Sequence, residues 1–170
     1  MAWVWVSIGS NIDRERHVCA ALAALRARFG ELVCSSVYET PAEGFEGDPF
    51  FNLVAGFETD CRPAALHGIL RDIELDNGRV RGAEKFSSRT LDIDALTYAD
   101  EVTDEGGKAL PRDEILKYAF VLGPLAEVAP HERHPQLGRD YLGLWQDFSG
   151  QRDGMHAVEL DCSVLREGNA

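Results

Sequence analysis

The chain has 170 residues, 45% hydrophobic and 27% charged, a balance typical of one globular domain with a single core. Its formal net charge of −12 would repel nucleic acids and anionic membranes, which excludes both as general partners. No apolar run approaches the roughly 20 residues of a membrane-spanning helix, and the N-terminus lacks the basic start of a secretory signal. We therefore expect one domain over residues 1–170, a monomer in the cytoplasm.

The first half of the chain predicts two helices set between short strands. Apolar residues recur at helical spacing over 14–29, and Gly30 closes that helix. Pro63 opens a second helix, which ends near Gly78. The Gly/Pro-rich stretch 40–49 predicts a loop. The predicted strands cover residues 4–8, 33–38, 50–57 and the segment that contains Asp92 and Asp94.

The second half predicts smaller elements around that core. Residues 99–111 are polar and contain glycines, which favours a short hairpin. The other predicted elements are a helix over 113–126 interrupted at Gly123-Pro124, a proline-rich connection over 129–139, a short helix over 141–148 and a late strand over 156–160.

The order of these elements predicts the fold class. A β-α-β-β-α-β order is typical of an α+β, ferredoxin-like domain, in which an antiparallel sheet carries both helices on one face. The core would cover about residues 3–146, with additional C-terminal elements and an extension over 147–170. The opposite face of the sheet and its loops would be free to bind ligands.

The cysteines and histidines show no spacing that indicates a metal site. The four cysteines are widely separated and include no C-x-x-C pair, so we expect free, mostly buried thiols in a cytoplasmic chain. His131 and His134 are three residues apart but stand among prolines, which disfavours zinc binding.

The segment Leu91-Asp92-Ile93-Asp94 carries the most specific chemical pattern. Side chains alternate between the faces of a strand, so both carboxylates would point one way and both apolar side chains into the core. Paired carboxylates suit hard divalent cations such as Mg²⁺, while guanidinium and ammonium groups suit phosphates. A solvated strand face is the alternative interpretation. The cations just upstream favour a nucleotide site; they are Arg79, Arg81, Lys85 and Arg89.

An ordered set of short motifs resembles one enzyme family, 6-hydroxymethyl-7,8-dihydropterin pyrophosphokinase of the folate pathway. The motifs keep the family's order and nearly its spacing from about residue 3 to 146. They are Ile8-Gly9-Ser10-Asn11, Ser35-Ser36-x-Tyr38-x-Thr40-Pro41, Phe51-Asn52, Glu74 with Gly78-Arg79-x-Arg81, Arg89-Thr90-Leu91-Asp92-Ile93-Asp94, and Phe120-Val121-Leu122-x-Pro124-Leu125-x-Glu127-x-Ala129-Pro130.

The resemblance implies transfer of pyrophosphate from ATP to the hydroxymethyl oxygen of the pterin, with release of AMP. Asp92 and Asp94 would hold two Mg²⁺ ions, and catalysis would consist mainly of alignment and charge neutralisation. The other catalytic residues implied are Arg79, Arg81 and Arg89. The implied nucleotide-binding residues are Glu74, Arg79, Arg81, Lys85, Arg89 and Arg112.

The resemblance also implies a pterin site. Asn52 would read the amide-like edge of the flat ring, and Phe120 would stack on its face. Thr40 and Pro41 would add backbone contacts, and Phe50 an aromatic wall. On its own, Phe120 would be interpreted as a core residue, as aromatic positions in apolar runs usually are; its place in the Phe-Val-Leu-x-Pro-Leu motif favours the pterin role.

The chain departs from the family's pattern at several positions. Arg112 stands where the family commonly has histidine, and Tyr118 replaces an arginine. In the upstream loop, Phe86 replaces a tryptophan, and Ser87-Ser88 replaces Gly-Pro. These changes leave the paired aspartates intact and affect the expected ATP contacts.

Two other functions are open. A degenerate module could bind pterin or nucleotide without turnover, supported only by the changes at Arg112 and Tyr118. A palm-type nucleotidyltransferase also uses paired aspartates, but it needs a third carboxylate on a neighbouring strand, and the strands over 4–8 and 50–57 contain none.

Overall fold

The computed structural model describes residues 1–78, 90–163 and 165. None of the helices in these ranges is long and apolar enough to cross a bilayer. The elements are β1 (Ala2–Ser10), α1 (Arg14–Phe29), β2 (Val33–Cys34), β3 (Val37–Thr40), β4 (Phe50–Thr59), α2 (Pro63–Asp76), β5 (Asp92–Tyr98), α3 (Glu114–Lys117), α4 (Ala119–Val128), α5 (Tyr141–Gln146) and β6 (His156–Val158).

The strands form one antiparallel sheet in the order β5-β1-β4-β3-β6, with β2 also paired to β4. The central pair is β1 with β4, in register from Ala2↔Thr59 to Ser10↔Phe51. On its other side β1 pairs with β5. The ferredoxin-like α+β class predicted from the element order is confirmed.

One face of the sheet is covered by α1 and α2. Alternate residues of β1, namely Val4, Val6 and Ile8, point into this core. Apolar positions at helical spacing on both helices meet them, among them Leu25 and Leu70. Burying each such aliphatic side chain contributes about 1.5–3 kcal/mol relative to leaving it exposed.

The opposite face is only partly open. A second core packs α3, α4 and α5 against the side chains that β1, β4 and β5 place on this face. Its strand members are Trp5, Val54 and Leu96, and the Trp5 indole also donates to Glu132 Oε2 at 2.9 Å. The face expected to be free for ligands is therefore covered at one end. The polar end, around Gly9 and Asp92, carries the candidate site.

Two predicted elements differ from the structure. The helix over 113–126 is interrupted at Tyr118, where the backbone is extended, and Pro124 lies inside α4. The strand over 33–38 divides into β2 and β3. Ser35 causes the division, since its hydroxyl accepts from the Val54 amide at 3.0 Å and its amide donates to the Val54 carbonyl at 2.9 Å.

The expectation of free cysteines is wrong for two of the four. Cys19 on α1 and Cys162 near the C-terminus form a disulfide with their Cα atoms 5.4 Å apart. Cys34 and Cys61 are free, and Cys34 is exposed. The bonded pair is separated by 143 residues, so spacing along the chain could not indicate it.

Two glycine substitutions should change stability in opposite directions. A Cβ on Gly56 would run into the Trp5 ring and lie 2.7 Å from Trp3 Cζ2 in a packed region. Gly56→Ala should therefore cost about 1–3 kcal/mol in the free energy of unfolding. Gly68 in α2 has open space around it, so Gly68→Ala should gain about 0.5–1 kcal/mol. Urea unfolding monitored by tryptophan fluorescence measures both, and a neutral Gly56→Ala would contradict the packing described.

Candidate active site

Strand β5 places two carboxylates on one face. Asp92 and Asp94 are half-buried, while Leu91 and Ile93 between and before them are buried in the first core. Residue alternation along a strand produces this arrangement. The partners on β1 are Gly9 opposite Asp92 and Ser7 opposite Asp94, so no acid of β1 faces the pair.

The neighbouring Asp92 carboxylate adds to the cost of ionising Asp94. Burial, and next the negative charge of Asp92, raise the pKa of Asp94 above its ordinary value, while Arg112 and Lys108 act in the opposite direction. Adjacent carboxylates of this kind fit a hard divalent cation, which takes oxygen ligands and relieves the repulsion. Within residues 1–78, 90–163 and 165, no group of three His, Cys, Asp or Glu side chains could hold a metal, so a cation here would depend on this pair.

Two cations lie beside the acidic pair. Lys108 Nζ is 3.4 Å from Asp94 Oδ1. Arg112, already predicted to bind nucleotide, is held by Glu114 through two hydrogen bonds of 3.0 Å and contributes to the field at Asp94. Lys108 was not predicted. The hairpin closed by the Thr103↔Leu110 bridge brings Lys108 back to β5. Its position in the second half of the predicted hairpin was the sequence feature that could have indicated this contact.

Glu74 lies behind the acidic pair. Its side chain is buried, and its Oε2 accepts from the backbone amide of Ile93 at 2.9 Å. Ile93 separates the two aspartates, so this contact from α2 holds the strand at the point where it presents them. The predicted contact of Glu74 with nucleotide stays a prediction, and the structure adds a positioning contact.

A row of paired residues crosses the sheet from the predicted pterin side to the predicted metal side. Asn52 on β4 pairs with Gly9 on β1, and Gly9 pairs with Asp92 on β5. A Cβ on Gly9 would lie 2.5 Å from Asn52 Oδ1, so the Asn52 side chain lies over the glycine. Strands are about 4.8 Å apart, so the backbones of Asn52 and Asp92 are roughly 10 Å apart.

The substrate residues predicted on β3 and β4 lie together. Asn52 Nδ2 donates to Thr40 Oγ1 at 2.7 Å, and both residues are buried. Phe50 approaches Gly9 on the same face as Asn52, and its ring meets Phe45 edge-on with centroids 6.3 Å apart. Pro41 follows Thr40 at the start of the loop. The loop therefore begins and ends beside the Asn52 amide.

Two residues fasten this loop through contacts that the sequence did not indicate. Arg14 donates to the Pro49 carbonyl at 3.0 Å and to Glu39 Oε2 at 2.7 Å, with its guanidinium carbon 3.9 Å from the Phe51 ring centroid. Asn11 Nδ2 donates to the Asp48 carbonyl at 3.0 Å. Asn11 belongs to the Ile8-Gly9-Ser10-Asn11 motif, but its loop contact is long-range and leaves no local pattern.

Phe120 lies on α4 with its ring stacked on Tyr118, centroids 5.0 Å apart. The described ring contact is thus with Tyr118, and stacking on a pterin stays a prediction. Glu127, on the same helix, accepts from the Ser36 amide at 2.8 Å, from the Ser36 hydroxyl at 2.9 Å and from the Tyr38 hydroxyl. Burial and this carboxylate raise the pKa of Tyr38 to about 12, so the phenol stays a donor. Helix α4 and strand β3 are therefore joined.

The predicted basic segment falls outside the described residues. This applies to Arg79, Arg81, Lys85 and Arg89, and to the departures at Phe86 and Ser87-Ser88. Their roles stay predictions.

The fold and the site together define the class, an α+β protein of ferredoxin-like type with an acidic pair on its sheet. The family model for 7,8-dihydro-6-hydroxymethylpterin-pyrophosphokinase (HPPK) matches residues 5–130. The chain belongs to this family.

Relatives from two bacteria extend the match to most of the chain. The 2-amino-4-hydroxy-6-hydroxymethyldihydropteridine pyrophosphokinase of Pseudomonas aeruginosa is 35% identical over 169 residues, covering 97% of this chain and 93% of the relative. The protein of the same name from Bacillus subtilis is 29% identical over 161 residues, covering 90% and 96%.

A solved structure of similar fold is the Plasmodium falciparum HPPK-DHPS A437G protein with STZ-DHP. It aligns with a TM-score of 0.70 at 12% identity, over 86% of this chain. The chain spans only 45% of the length of that protein. At this identity the likeness shows a shared fold.

Substitution of Glu74 should separate its hydrogen bond from its charge. Glu74→Ala leaves the buried Ile93 amide without this acceptor, which should cost about 1–3 kcal/mol in unfolding free energy and speed amide exchange at Ile93. Glu74→Gln keeps an acceptor oxygen and should keep most of the protection. Asp72→Ala, at an exposed acid of the same helix, is the control. Unchanged Ile93 exchange in Glu74→Ala, measured by NMR, would show that the bond does not hold the strand.

Proposed function

We propose that the chain transfers a pyrophosphoryl group from ATP to the hydroxymethyl oxygen of 6-hydroxymethyl-7,8-dihydropterin, releasing AMP, in folate biosynthesis. Membership of the HPPK family and the names of the bacterial relatives support this reaction. The observation that carries it in this chain is the row in which Asn52, Gly9 and Asp92 are directly paired. It aligns an amide suited to a flat polar edge with a carboxylate suited to a cation.

Asp92 and Asp94 would hold Mg²⁺, with two ions as the family resemblance implies. Their shared face on β5 and the raised pKa of Asp94, caused by burial and by Asp92, support this role. When bound, Mg²⁺ neutralises charge on the triphosphate and aligns the reacting oxygens. Two carboxylates are few enough to leave coordination positions for phosphate oxygens and water.

Lys108 and Arg112 would bind phosphate oxygens of ATP. Lys108 is now paired with Asp94 at 3.4 Å, and once Asp94 acts as a metal ligand, the ammonium can turn to the triphosphate. Glu114 holds the Arg112 guanidinium by two hydrogen bonds, which limits its motion. The family resemblance adds further nucleotide contacts from Glu74, Arg79, Arg81, Lys85 and Arg89.

Asn52, at the β4 end of the row, would form hydrogen bonds with the pterin edge. Its Nδ2 is already bonded to Thr40, so Oδ1 is the atom best placed to accept from a pterin N–H. Phe50 and Phe120 would bound the ring, with backbone contacts from Thr40 and Pro41. This arrangement would turn the hydroxymethyl oxygen toward the triphosphate, where bond formation to the β-phosphorus breaks the bond to AMP.

The alternatives make different demands on the sheet. A palm-type nucleotidyltransferase needs a third carboxylate beside the pair, and the residues of β1 opposite the aspartates are Gly9 and Ser7. A binding module without turnover is favoured by Tyr118, whose aromatic ring stands where the family has a cationic arginine.

Location in the cytoplasm and a monomeric state are further proposals from the sequence.

The reaction is tested by resolving the nucleotide products after incubation with the pterin, ATP and Mg²⁺. AMP should appear in step with consumed pterin. Asp92→Asn and Asp94→Asn should each lower the rate on the order of 10²-fold or more, because a ligand to the charge-neutralising cation is weakened. Asp100→Asn, an exposed acid just beyond β5, should leave the rate unchanged.

Other products would exclude the proposed reaction. ADP would mean transfer of a single phosphoryl group. Pterin and ATP binding without any turnover would identify the chain as a binding module. Full activity in both aspartate variants would remove the acidic pair from the mechanism.

A further inference from the structure

The segment after α5 returns to the pterin side of the sheet. We call residues 149–163 the C-terminal strap. Its strand β6 pairs antiparallel with β3 in the register Val37↔Val158, Tyr38↔Ala157 and Glu39↔His156. Strand β3 ends at Thr40, whose hydroxyl accepts the Asn52 amide. The strap therefore takes the outer edge of the strand that leads into the proposed pterin site.

The strap also contacts two other parts of that site. A Cβ on Gly154 would lie 3.4 Å from Cγ and Cδ of Pro41, so the strap passes against the start of the loop. A Cβ on Gly123 would lie 3.1 Å from Met155 Cε, so Met155 packs on α4 one turn after Phe120. The strap thus bridges Pro41 and the helix that carries the proposed stacking residue.

The described part of the strap is held mainly by exposed non-covalent contacts. Arg152 donates to the Trp145 and Phe148 carbonyls at 3.0 and 2.6 Å, and His156 Nε2 lies 3.7 Å from Glu39 Oε1. Strand β6 has only three residues, and His156 and Ala157 are exposed. Val158 and Leu160 pack on the first core while still partly accessible. Beyond them, Asp161 donates its amide to Glu15 Oε2 at 3.1 Å.

The covalent link from Cys162 to Cys19 secures the strap to α1. Cys19 is buried in the fold at 1% exposure, so the link ties an exposed segment to a fixed point. A cross-link of this kind removes freedom that a short strand cannot remove by itself.

We propose that the C-terminal strap positions Pro41 and α4 for pterin binding, and that the Cys19–Cys162 disulfide sets pterin affinity by holding the strap. The proposal rests on the proposed function, since it assigns the pterin to this side of the sheet. ATP affinity is independent of the disulfide. The acidic pair and Lys108 lie on and beside β5, and the order β5-β1-β4-β3-β6 places β5 farthest from the strap.

The link forms by exchange with a small-molecule disulfide. The Cys162 thiolate attacks one sulfur of that disulfide and expels a small thiol. The Cys19 thiolate then attacks the Cys162 sulfur and expels the second small thiol. Two protein thiols are oxidised, one small disulfide is reduced to two thiols, and the two protons released pass to the departing thiolates.

The test compares pterin and ATP dissociation constants in the oxidised and the dithiothreitol-reduced full chain. Thiol titration of the unfolded protein should count two free thiols before reduction, those of Cys34 and Cys61, and four after it. Reduction should weaken pterin binding about fivefold or more, the lower end of typical coupling between sites. The ATP constant should change less than about twofold, within the noise of independent sites.

Two variants make the test specific. Cys162→Ser should bind pterin as weakly as the reduced chain and should no longer respond to reductant. Cys34→Ser removes a free, exposed thiol and should behave as the parent chain in both states. Faster amide exchange over residues 154–158 in Cys162→Ser would show the loosened strap directly.

Several results would overturn the proposal. If four free thiols are counted before reduction, even in protein exposed to oxidised glutathione, the disulfide does not form and the proposal fails. Equal pterin affinity in both states would show that the strap does not position the site, and an equal loss of ATP affinity would indicate general loosening. Absence of pterin binding in either state would instead refute the proposed function, together with this inference.

Discussion

The central constraint on the molecule is the pairing of β1 with β4 on one side and β5 on the other. This double pairing puts Asn52, Gly9 and Asp92 in a single row, each from a different segment of the chain. Gly9 is at the centre of the row because any side chain would meet Asn52 Oδ1. The row therefore requires one residue without a Cβ and two polar residues at a spacing that only the register determines.

Positive charge is concentrated beside the acidic pair, although the protein as a whole is negatively charged. The chain carries a formal net charge of −12, yet Lys108 and Arg112 are brought to the acidic pair by the hairpin after β5. These local cations attract a polyphosphate that the negative field of the whole protein would otherwise repel. Glu74 adds a backbone hydrogen bond behind the pair, so the position of the aspartates depends on α2 as well as on the sheet.

The spacing of residues along the chain was sufficient to predict the helices and strands that local sequence determines. Helix α1 has the predicted bounds, and the spacing of Asp92 and Asp94 placed both on one face of a strand. Contacts between distant segments could not be predicted in this way. Two such contacts depend on how the chain turns after α3: the packing of α4 on the second face of the sheet and the link from Cys19 to Cys162. Lys108 likewise reaches Asp94 only because its hairpin folds back onto β5.

The most direct measurement is a crystal structure of the chain with 6-hydroxymethylpterin, a non-hydrolysable ATP analogue and Mg²⁺. We expect a hydrogen bond from the pterin edge to Asn52, with the hydroxymethyl oxygen directed along the row toward the β-phosphorus. Asp92 and Asp94 should coordinate the metal. A pterin bound away from Asn52, or a triphosphate seated without metal contact to the acidic pair, would contradict the claim that this row aligns the reaction.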